Sequence, residues 1–379
     1  MSFQQIRRGL PATDPGELEA TLVWNALVEP GDRISGILRS KLGNRRALEK
    51  LFSQDSKQVE DLAAEDLESA YQRWLPRYRK SLAAEVAGSA AKADARILLP
   101  TDEEWPTALS SLQHHSPVAL WFRGNTKNFT LLNRSVAIVG SRTCTHYGQK
   151  ITANLASHLV QNESAVVSGG ALGVDSVAHR VTLARAGLTV AVMAGSLDNL
   201  YPSGNWQLFE EIAHSGLLVS EMVPGSKPTR WRFLQRNRLI AAISQAVVVT
   251  EAGWRSGSIN TAGHAVELGR RVFAIPGPIT EPSSAGCNRL IRDHLAELLL
   301  DTEELSTELG WVLSQHDRLE SLGVLELRTL DALSRREQQL DSLLRATGLT
   351  LDELRLALGG LQTSNLAERG PENGWKRTK

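Results

Sequence analysis

The sequence predicts an α/β fold built on a parallel sheet, with a smaller region on each side of it along the chain. Between residues 135 and 277, short apolar runs rich in β-branched residues alternate with turns that contain Gly, Ser or Arg, and each turn leads into a segment with helical periodicity. The apolar runs hardly alternate with polar residues, which is typical of strands buried on both faces. Six strands are predicted, at residues 135–140, 165–168, 189–193, 217–220, 246–250 and 271–275.

Candidate ligand-binding residues follow the first two strands. An open parallel sheet binds ligands in the crevice beyond the carboxyl ends of its strands. Glycine at such an end lets the backbone approach an anion, and free N–H groups of the next helix point at that anion. The fifth strand repeats the pattern, because Gly253 follows it and a helix opens at residues 255–258. We predict a phosphate site at the first two strand ends, formed by Gly140, Ser141, Arg142, Ser168, Gly169 and Gly170.

A basic helical segment lies between the fourth and fifth strands. Residues 227–244 contain five cations and no acid, and Trp231 and Phe233 lie among the cations. An apolar stripe over residues 239–243 predicts that the helix packs against the sheet. Cations with interleaved aromatic side chains favour a single-stranded nucleic acid, whose bases can stack. The candidate DNA-binding residues of this segment are Lys227, Arg230, Arg232, Phe233, Arg236, Asn237 and Arg238.

Other roles stay open for some of these residues. Arg142 could form a salt bridge to Glu221 or Glu251 instead of contacting a ligand. One of Arg236 and Arg238 could brace the loops, and some of the glycines could serve the packing of helices on strands.

At these residues the chain resembles a bacterial family of DNA-processing proteins, DprA, also called Smf. The resemblance rests on six motifs in one order. They are Gly-Ser-Arg at 140–142 with Tyr-Gly at 147–148, Ser-Gly-Gly-Ala-x-Gly-Val-Asp-x-x-Ala-His at 168–179, Phe-x-x-Arg-Asn-Arg-Leu-Ile at 233–240, Glu-Ala with Ser-Gly-Ser and Thr-Ala at 251–262, Gly-Arg with Phe-Ala-Ile-Pro-Gly at 269–277, and Gly-x-Asn-x-Leu-Ile at 286–291.

The resemblance implies an extended Rossmann fold and a specific biological role. Members of the family bind single-stranded DNA, form homodimers and load the RecA recombinase during natural transformation, when competent cells take up DNA. The chain departs from the family pattern at Leu172, where relatives often carry a cation, and at residues 292–295, where a Gly-Ala step is usual. Neither departure touches the Arg-Asn-Arg motif at residues 236–238.

The N-terminal region is predicted to be helical. Apolar residues recur at helical spacing over residues 16–86, and we assign a helical domain to residues 1–90. It resembles the sterile-alpha-motif-like or helix-hairpin-helix-like module of the family, and a helical cap without DNA contact is the alternative. The Ala-rich residues 83–95 are predicted to be a linker or a frayed helix end.

Two further domains follow in the prediction. The extended Rossmann domain is assigned to residues 97–300, and residues 97–124 are expected to add an extra strand at one edge of its sheet. Two helices separated by Thr347-Gly348, followed by a Gly-rich tail, resemble a small winged-helix-like domain, which we assign to residues 318–379.

Binding is favoured over catalysis because the motifs of common enzyme classes are missing from the sequence. Ser168 does not lie in a Gly-x-Ser-x-Gly elbow, no Gly-x-Gly-x-x-Gly follows the first strand, and no P-loop is present. The alternative is a nucleotide-binding or nucleotide-processing Rossmann enzyme related to the lysine-decarboxylase-like phosphoribohydrolases. Their Pro-Gly-Gly-x-Gly-Thr-x-x-Glu loop has no counterpart near Pro276. We expect no enzymatic activity, no catalytic residue, no cofactor and no metal.

The composition bears on the distribution of charge, the state of the cysteines and the location of the protein in the cell. The 379 residues carry 42 basic and 42 acidic side chains, so a nucleic-acid binder of this composition must concentrate its cations locally, as residues 225–240 do. Cys144 and Cys287 have no Cys or His partner at metal spacing and are expected to be reduced thiols. No apolar run of membrane length and no signal-peptide pattern occur, and we predict a cytoplasmic protein without membrane contact.

Overall fold

The computed structural model describes residues 2–57, 59–311, 322–364, 366–371 and 373–378. They form two compact units, Met1–Glu304 and Leu305–Lys379. The predicted start of the third domain, residue 318, lies outside the described residues, and the division into three domains stays a prediction. None of the helices in the described ranges is long and apolar enough to span a membrane.

Helices fill most of the described chain up to Lys92. They are α1 (Ser2–Ile6), α2 (Pro15–Leu27), α3 (Arg33–Leu42), α4 (Asn44–Phe52), α5 (Ala64–Trp74) and α6 (Leu82–Lys92). Asp14 caps α2 and Asp32 caps α3, because each carboxylate accepts a hydrogen bond from the backbone N–H three residues on, at 2.8 and 2.9 Å. Each cap satisfies one of the free donors of a helix N-terminus. The predicted helical region is confirmed.

Helix α6 corrects one detail of the sequence interpretation. The Ala-rich segment that was predicted to be a linker or a frayed end is a regular helix up to Lys92. Alanine has the highest helix propensity, and its small side chain lets α6 approach α1 and α2 closely. The buried residues of α6 are Leu82, Ala83, Val86, Ala87 and Ala90.

A nine-stranded sheet forms the centre of the first unit in the part of the chain that is described. Its strands are β1 (Arg96–Leu98), β2 (Leu120–Gly124), β3 (Ser135–Gly140), β4 (Ala165–Ser168), β5 (Thr189–Met193), β6 (Leu217–Ser220), β7 (Ala246–Glu251), β8 (Arg271–Ala274) and β9 (Glu297–Leu298). Their order across the sheet is β1-β2-β6-β5-β4-β3-β7-β8-β9. Strand β2 is antiparallel to β1 and β6, and all other neighbours are parallel.

The six predicted strands are confirmed as β3 to β8, and each bound agrees to within one residue. The predicted extension at one edge is also confirmed, although it contains two short strands, β1 and β2, rather than one. Strand β9 was not predicted. It has only two residues, both exposed, which is too short for a strand pattern in the sequence.

The helices of the sheet region lie between its strands. They are α7 (His146–Gln161), α8 (Val174–Ala184), α9 (Trp206–Ser215), α10 (Arg230–Ile243), α11 (Gly257–Glu267) and α12 (Ala285–Arg292). Helix α13 (Glu304–Glu308) follows β9 and spans the boundary of the two units along the chain. The C-terminal half of α10 packs on the sheet as predicted, since Leu239, Ile240 and Ile243 are at most 2% exposed.

Two hydrophobic clusters cover the two faces of the sheet. One cluster joins Trp24 and Ile37 of the helical region to Trp121 of β2 and Phe209 of α9. The other contains the apolar residues of α10 together with Val139, Val167 and Val249 of the central strands, and others. Because both faces are covered, the central strands tolerate apolar side chains in every position, which accounts for their unalternated sequences.

After α13, the described residues of the second unit form three helices and a hairpin. They are α14 (Val324–Ala332), α15 (Leu340–Thr347), α16 (Leu351–Thr363), β10 (Ala367–Arg369) and β11 (Trp375–Arg377). Gly348 ends α15 in the left-handed conformation, with φ 63°, and Thr350 opens α16 in a capping box with Glu353. Leu343, Leu354 and Leu358 form part of its core. The two predicted helices on either side of Thr347-Gly348 are present, and the winged-helix-like assignment stays a prediction.

Candidate nucleic-acid interface

The carboxyl ends of β3, β4 and β7 meet because β3 pairs with both other strands. The loops that follow these strands and the N-terminal half of α10 enclose an open cavity of about 990 Å³, which we call the strand-end cavity. Seven of the predicted site residues line it, namely Gly140, Ser141, Arg142, Arg230, Phe233, Arg236 and Asn237.

Phe233 forms an aromatic wall of the strand-end cavity. Its half-buried ring has the guanidinium carbon of Arg142 5.4 Å from its centroid and that of Arg236 at 5.7 Å. The ring of Tyr201 meets it edge to face, with 5.8 Å between centroids. Cations near an aromatic face are attracted to its electron density, so the two arginines and the ring hold one another in place.

Three arginines at the cavity carry charge that no protein group balances. Arg142, Arg230 and Arg255 line the cavity with exposed side chains, and none of them forms an ion pair within the described ranges. Asp175 also lines the cavity, but it is buried, and its Oδ2 accepts two backbone N–H groups. A concave surface with an excess of charge of one sign attracts counter-charges more strongly than a flat surface does. This cavity is therefore suited to a polyanion.

The carboxylates suggested as partners of Arg142 are engaged elsewhere. Glu251 accepts hydrogen bonds from the backbone N–H of Thr145, at 3.2 Å, and from its hydroxyl, at 2.5 Å. Glu221 accepts two hydrogen bonds from Arg238. The suggested salt bridge of Arg142 to either acid is therefore not formed.

Arg236 is a buried cation at the back of the strand-end cavity. Its Nη1 donates to the carbonyl oxygen of Gly169, at 2.7 Å, and to that of Val192, and its Nε donates to Asn237 Oδ1 at 3.2 Å. Burial lowers the pKa of Arg236 to about 10, so the side chain remains charged at neutral pH. Its Nη2 has no hydrogen-bond partner among the described residues, which leaves one donor for a ligand.

Gly169 is required because Arg236 passes directly over it. A Cβ atom at this position would lie 2.4 Å from Nη1 of Arg236, well inside contact distance. A side chain at this position would have to displace the guanidinium of Arg236 from its hydrogen bonds to Gly169 and Val192. This packing against Arg236 is a different role for Gly169 from the phosphate contact predicted for it, which stays a prediction.

The carboxylate of Asp175 occupies the position next to the glycine loop after β4 where a bound anion was predicted. Asp175 Oδ2 accepts hydrogen bonds from the backbone N–H groups of Gly169, at 3.1 Å, and Ala171, at 3.2 Å. Burial raises the pKa of this carboxyl, whereas the charge of Arg236 and the two N–H donors lower it. Two of the amides in the predicted phosphate loop are thus already used inside the protein.

The other residues of this loop also face the protein interior. The buried Ser168 hydroxyl donates to the carbonyl oxygen of Ile138 at 2.6 Å. Gly170 has φ +70°, and a Cβ there would lie 2.6 Å from the ring of Phe209. Ser168, Gly169 and Gly170 do not line the strand-end cavity in the described structure.

Arg232 binds the helical N-terminal region instead of lining the cavity. Its Nε and Nη2 donate to the two carboxylate oxygens of Glu29 at 3.0 and 2.9 Å, and its Nη1 donates to the carbonyl oxygen of Lys227. Burial opposes the charge of Glu29, yet hydrogen bonds from Arg232 and the charges of Arg232 and Arg77 hold its pKa below the ordinary value. Lys227 is exposed outside the cavity.

Arg238 is the most deeply paired cation of the segment. It is 4% exposed, and its Nη2 donates to both carboxylate oxygens of Glu221 at 2.8 and 2.6 Å. Asn25 of α2 donates to the backbone carbonyl of Glu221 at 3.0 Å, so this ion pair also lies against the helical region. Of the two arginines in the Arg-Asn-Arg motif, Arg238 is the one that braces the fold.

Sequence reasoning missed several residues that line the cavity. Arg255 and Trp254 follow Gly253 at the end of β7, where the strand-end pattern had been noted but no residue was selected. Tyr201 lies in a loop after β5 without a recognisable motif. A cation two residues after a strand-end glycine was the available signal for Arg255.

Groups with catalytic or metal-binding chemistry do not face the cavity together. His179 is fully buried, burial and the charge of Arg236 lower its pKa to about 3, and its Nδ1 lies 2.7 Å from the Thr189 hydroxyl. Burial raises the pKa of Cys144 to about 11 and that of Cys287 to about 12, so both are protonated thiols at neutral pH. Within the described ranges no cluster of three metal-ligating side chains occurs.

The sequence of this chain is similar to those of bacterial DNA-processing proteins. The family model of DNA recombination-mediator protein A matches residues 96–310. A DprA-type relative from Mycobacterium tuberculosis is 42% identical over 275 residues, which cover 70% of this chain and 69% of the relative.

Two solved structures are similar over most of their own length. The DNA processing protein A of Streptococcus pneumoniae is 32% identical with a TM-score of 0.58, covering 74% of this chain and 98% of that one. The DNA processing protein A of Helicobacter pylori, whose structure describes a single-stranded DNA binding mode, is 34% identical with a TM-score of 0.51, covering 57% and 95%. With the motif order and the sheet topology, these similarities show that the chain belongs to the DNA recombination-mediator protein A family, which includes the bacterial DprA and Smf proteins.

Proposed function

We propose that this protein binds single-stranded DNA in the strand-end cavity. Arg142, Arg230, Arg255 and the Nη2 group of Arg236 hold phosphates, and a base stacks on Phe233. The observation that carries the proposal is the position of Phe233 beside two arginines in an open cavity whose exposed cations form no ion pair with any described residue. Support also comes from the Helicobacter pylori relative, whose structure concerns single-stranded DNA binding.

Single strands suit this cavity better than duplexes do. A base can stack on an aromatic side chain only when its face is free, and in a duplex both faces are covered by neighbouring base pairs. The guanidinium carbons of Arg142 and Arg236 lie 5.4 and 5.7 Å from the ring centroid, so a strand that stacks on Phe233 brings its phosphates within reach of both.

We also propose that the cavity binds without catalysing a reaction. A nucleophile needs a base within hydrogen-bond reach, and the candidate base, His179, is neutral, fully buried and bonded to Thr189. The hydroxyl of Ser168 is buried and donates to a backbone carbonyl. These roles favour binding over the nucleotide-processing alternative.

The proposed role in the cell is the loading of a RecA recombinase onto incoming single strands during natural transformation, in the cytoplasm. The description of the matching family as recombination mediators supports it. The test is RecA filament assembly on DNA that is covered by a single-strand-binding protein. The full chain should shorten the lag, and Arg142→Ala should not. An unchanged lag with the full chain would remove the loading role and leave DNA binding in place.

Homodimer formation is proposed through the β9 edge of the sheet. An edge strand leaves backbone groups unpaired and can pair with a second copy of itself. Leu295, Leu298 and Leu300 are exposed there, the last at 77%. Light scattering should give twice the mass of the chain, and Leu298→Asp with Leu300→Asp should give the monomer. A dimer that survives both substitutions must use another surface.

The second unit is proposed to be a winged-helix-like accessory domain. Among the described residues, those that line the strand-end cavity fall between 139 and 261, within the first unit. Residues 1–304 alone should therefore keep their circular-dichroism spectrum and most single-strand affinity. A loss of affinity as large as that of Arg142→Ala would place part of the main site in the second unit.

The decisive experiment is a fluorescence-anisotropy titration with single-stranded and duplex DNA over a series of salt concentrations. The logarithm of the affinity for single strands should fall with the logarithm of salt by about 0.7 per phosphate contact. Arg142→Ala should lower that slope by about one contact. Arg180→Ala is the matched control, because Arg180 is equally exposed but does not line the cavity. Equal affinity for duplex, or equal effects of the two variants, would contradict the proposal.

A further inference from the structure

Trp254 is a large apolar side chain at the rim of the strand-end cavity. It lies in the loop between β7 and α11, lines the cavity and is 53% exposed. Its neighbour in the sequence is Arg255, one of the exposed cations without a carboxylate partner. Packing of the protein core does not account for a tryptophan in this position, because half of its surface contacts solvent.

The indole is held in place from one side. The guanidinium carbon of Arg289, on α12, lies 4.7 Å from the ring centroid of Trp254. The backbone N–H of Gly286 donates to the carbonyl oxygen of Ala252 at 2.7 Å, which joins α12 to the loop that carries the indole. A Cβ at Gly286 would lie 2.6 Å from the carbonyl oxygen of Gly253, so only glycine allows this approach.

We propose that Trp254 is a second stacking platform for a base of the same DNA strand that stacks on Phe233. This inference rests on the proposed single-strand binding. Arg289 covers part of the ring, and the exposed half is available to a base. Arg255, next to Trp254, is placed to hold a phosphate close to this base, as Arg142 is for the base on Phe233.

The arrangement of Trp254 favours stacking for two physical reasons. A side chain that is already fixed by Arg289 loses little conformational freedom when a base binds it. Stacking on an aromatic ring does not depend on the identity of the base, so a second platform increases affinity without adding sequence preference.

Two platforms in one cavity also define the ligand. One base on each ring requires a ligand of at least two nucleotides. The site therefore prefers an oligonucleotide, and affinity should rise in two steps as the strand is lengthened.

The test uses the full-length protein and oligothymidylates of increasing length, measured by fluorescence anisotropy at one salt concentration. Trp254→Ala should weaken the binding of long oligonucleotides by about fivefold to a hundredfold, the range expected for one stacked base. Trp254→Phe should retain most of the affinity, because it keeps an aromatic face. The shortest strands that bind should be weakened by Phe233→Ala more than by Trp254→Ala.

Trp206→Ala is the matched control. Trp206 is 63% exposed and does not line the cavity, so its loss should leave affinity unchanged. A strand with the same phosphates but abasic sugars separates stacking from charge, and on it Trp254→Ala should bind as tightly as the unaltered protein. Melting temperatures confirm that each variant is folded.

Two different failures can be told apart. If the unaltered protein binds single strands and Phe233→Ala weakens binding, but Trp254→Ala does not, the second platform is wrong and the proposed function stands. If neither substitution nor Arg142→Ala changes binding, the strand-end cavity is not the DNA site. A loss for Trp254→Ala that persists on the abasic strand would mean that the indole only shapes the loop.

Discussion

Helix α10 carries arginines on two sides, and the sides differ in what balances their charge. Towards the helical N-terminal region, Arg232 is paired with Glu29 and Arg238 with Glu221. Towards the strand-end cavity, Arg230 and Arg236 have no carboxylate within ion-pair distance among the described residues. The same residue type therefore holds the fold together on one side and remains available to an anion on the other.

This difference shows how a chain with no net charge can offer a basic site. The acids that form ion pairs with α10 among the described residues, Glu29 and Glu221, lie on its helical-region side. Counting the five cations of residues 227–244 overestimates the number of phosphate contacts, since two of the arginines are neutralised within the protein. A local excess of unpaired cations determines nucleic-acid binding, rather than the total.

The strongest test of the comparison is Arg238→Ala. Breaking a buried ion pair leaves the other charge without compensation, which typically costs about 3–5 kcal/mol of stability. We expect a loss of this size in urea unfolding, with no change in the salt slope of DNA binding for the fraction that remains folded. Both Arg238 and Glu221 are less than 10% exposed, so solvent screening is small.

A double variant separates the ion pair from general damage to the core. Arg238→Met combined with Glu221→Met removes both charges and should recover much of the lost stability, because two apolar groups leave no unpaired charge. If Arg238→Ala keeps its stability while the salt slope of its DNA binding falls, Arg238 contacts DNA and is not a residue that holds the fold together.

Phe233→Ala should have the next largest effect, and on binding rather than on folding. Loss of one stacked base weakens single-strand binding by about 1–3 kcal/mol in an anisotropy titration. Phe233→Tyr keeps the ring and is the matched control. An early melting transition for Phe233→Ala, together with normal DNA binding by Arg142→Ala, would instead make Phe233 a packing residue.

The pKa of His179 provides a test of the charge on Arg236. Burial and the positive charge of Arg236 together lower this pKa to about 3. In the unfolded chain an ordinary histidine has a pKa of about 6.5, so as the pH falls below that value the unfolded state takes up the proton first. Stability contributed by neutral His179 is complete above pH 6.5 and is lost progressively towards pH 3.

The measurement for His179 is urea unfolding at pH 7.5 and pH 5.5. Between these values the unaltered protein should lose about 1.4 kcal/mol more than His179→Asn, which cannot titrate. The same loss in both proteins would mean that other groups control the acid response and that the imidazole is not held neutral by its surroundings.

The sheet and part of the site were predictable for a common reason. Strands buried on both faces leave continuous apolar runs, and parallel strands bring the residues at their carboxyl ends together. The second rule placed Arg142 at the carboxyl edge of the sheet, whereas Arg236 was selected from the cations of its segment. In the structure the guanidinium carbons of Arg142 and Arg236 both lie within 6 Å of the Phe233 ring centroid.

The partners of the paired arginines could not be predicted in the same way. Glu29 and Arg232 are separated by 203 residues, and their contact depends on how the helical region packs against α10. No periodicity or motif encodes that packing. Asp175 could have been found more easily, because it lies six residues after Gly169 and at the start of α8, where a carboxylate commonly accepts free N–H groups.

The smallest expected effect is that of Arg232→Gln, which tests whether a paired arginine of α10 contributes to DNA binding. Arg232 is partly exposed, with 18% of its side-chain surface accessible, and so is Glu29, so solvent screening keeps the ion pair's contribution to stability at about 0–1 kcal/mol. Because the charge of Arg232 is already balanced by Glu29, its loss should leave the salt slope of single-strand binding unchanged, whereas Arg142→Ala lowers the slope by about 0.7.

Glu29→Gln is the matched variant, since it frees the cation, and its slope should be equal to or steeper than that of the unaltered protein. A slope that falls for Arg232→Gln as much as for Arg142→Ala would mean that DNA displaces Glu29, and the two sides of α10 would then bind one strand together.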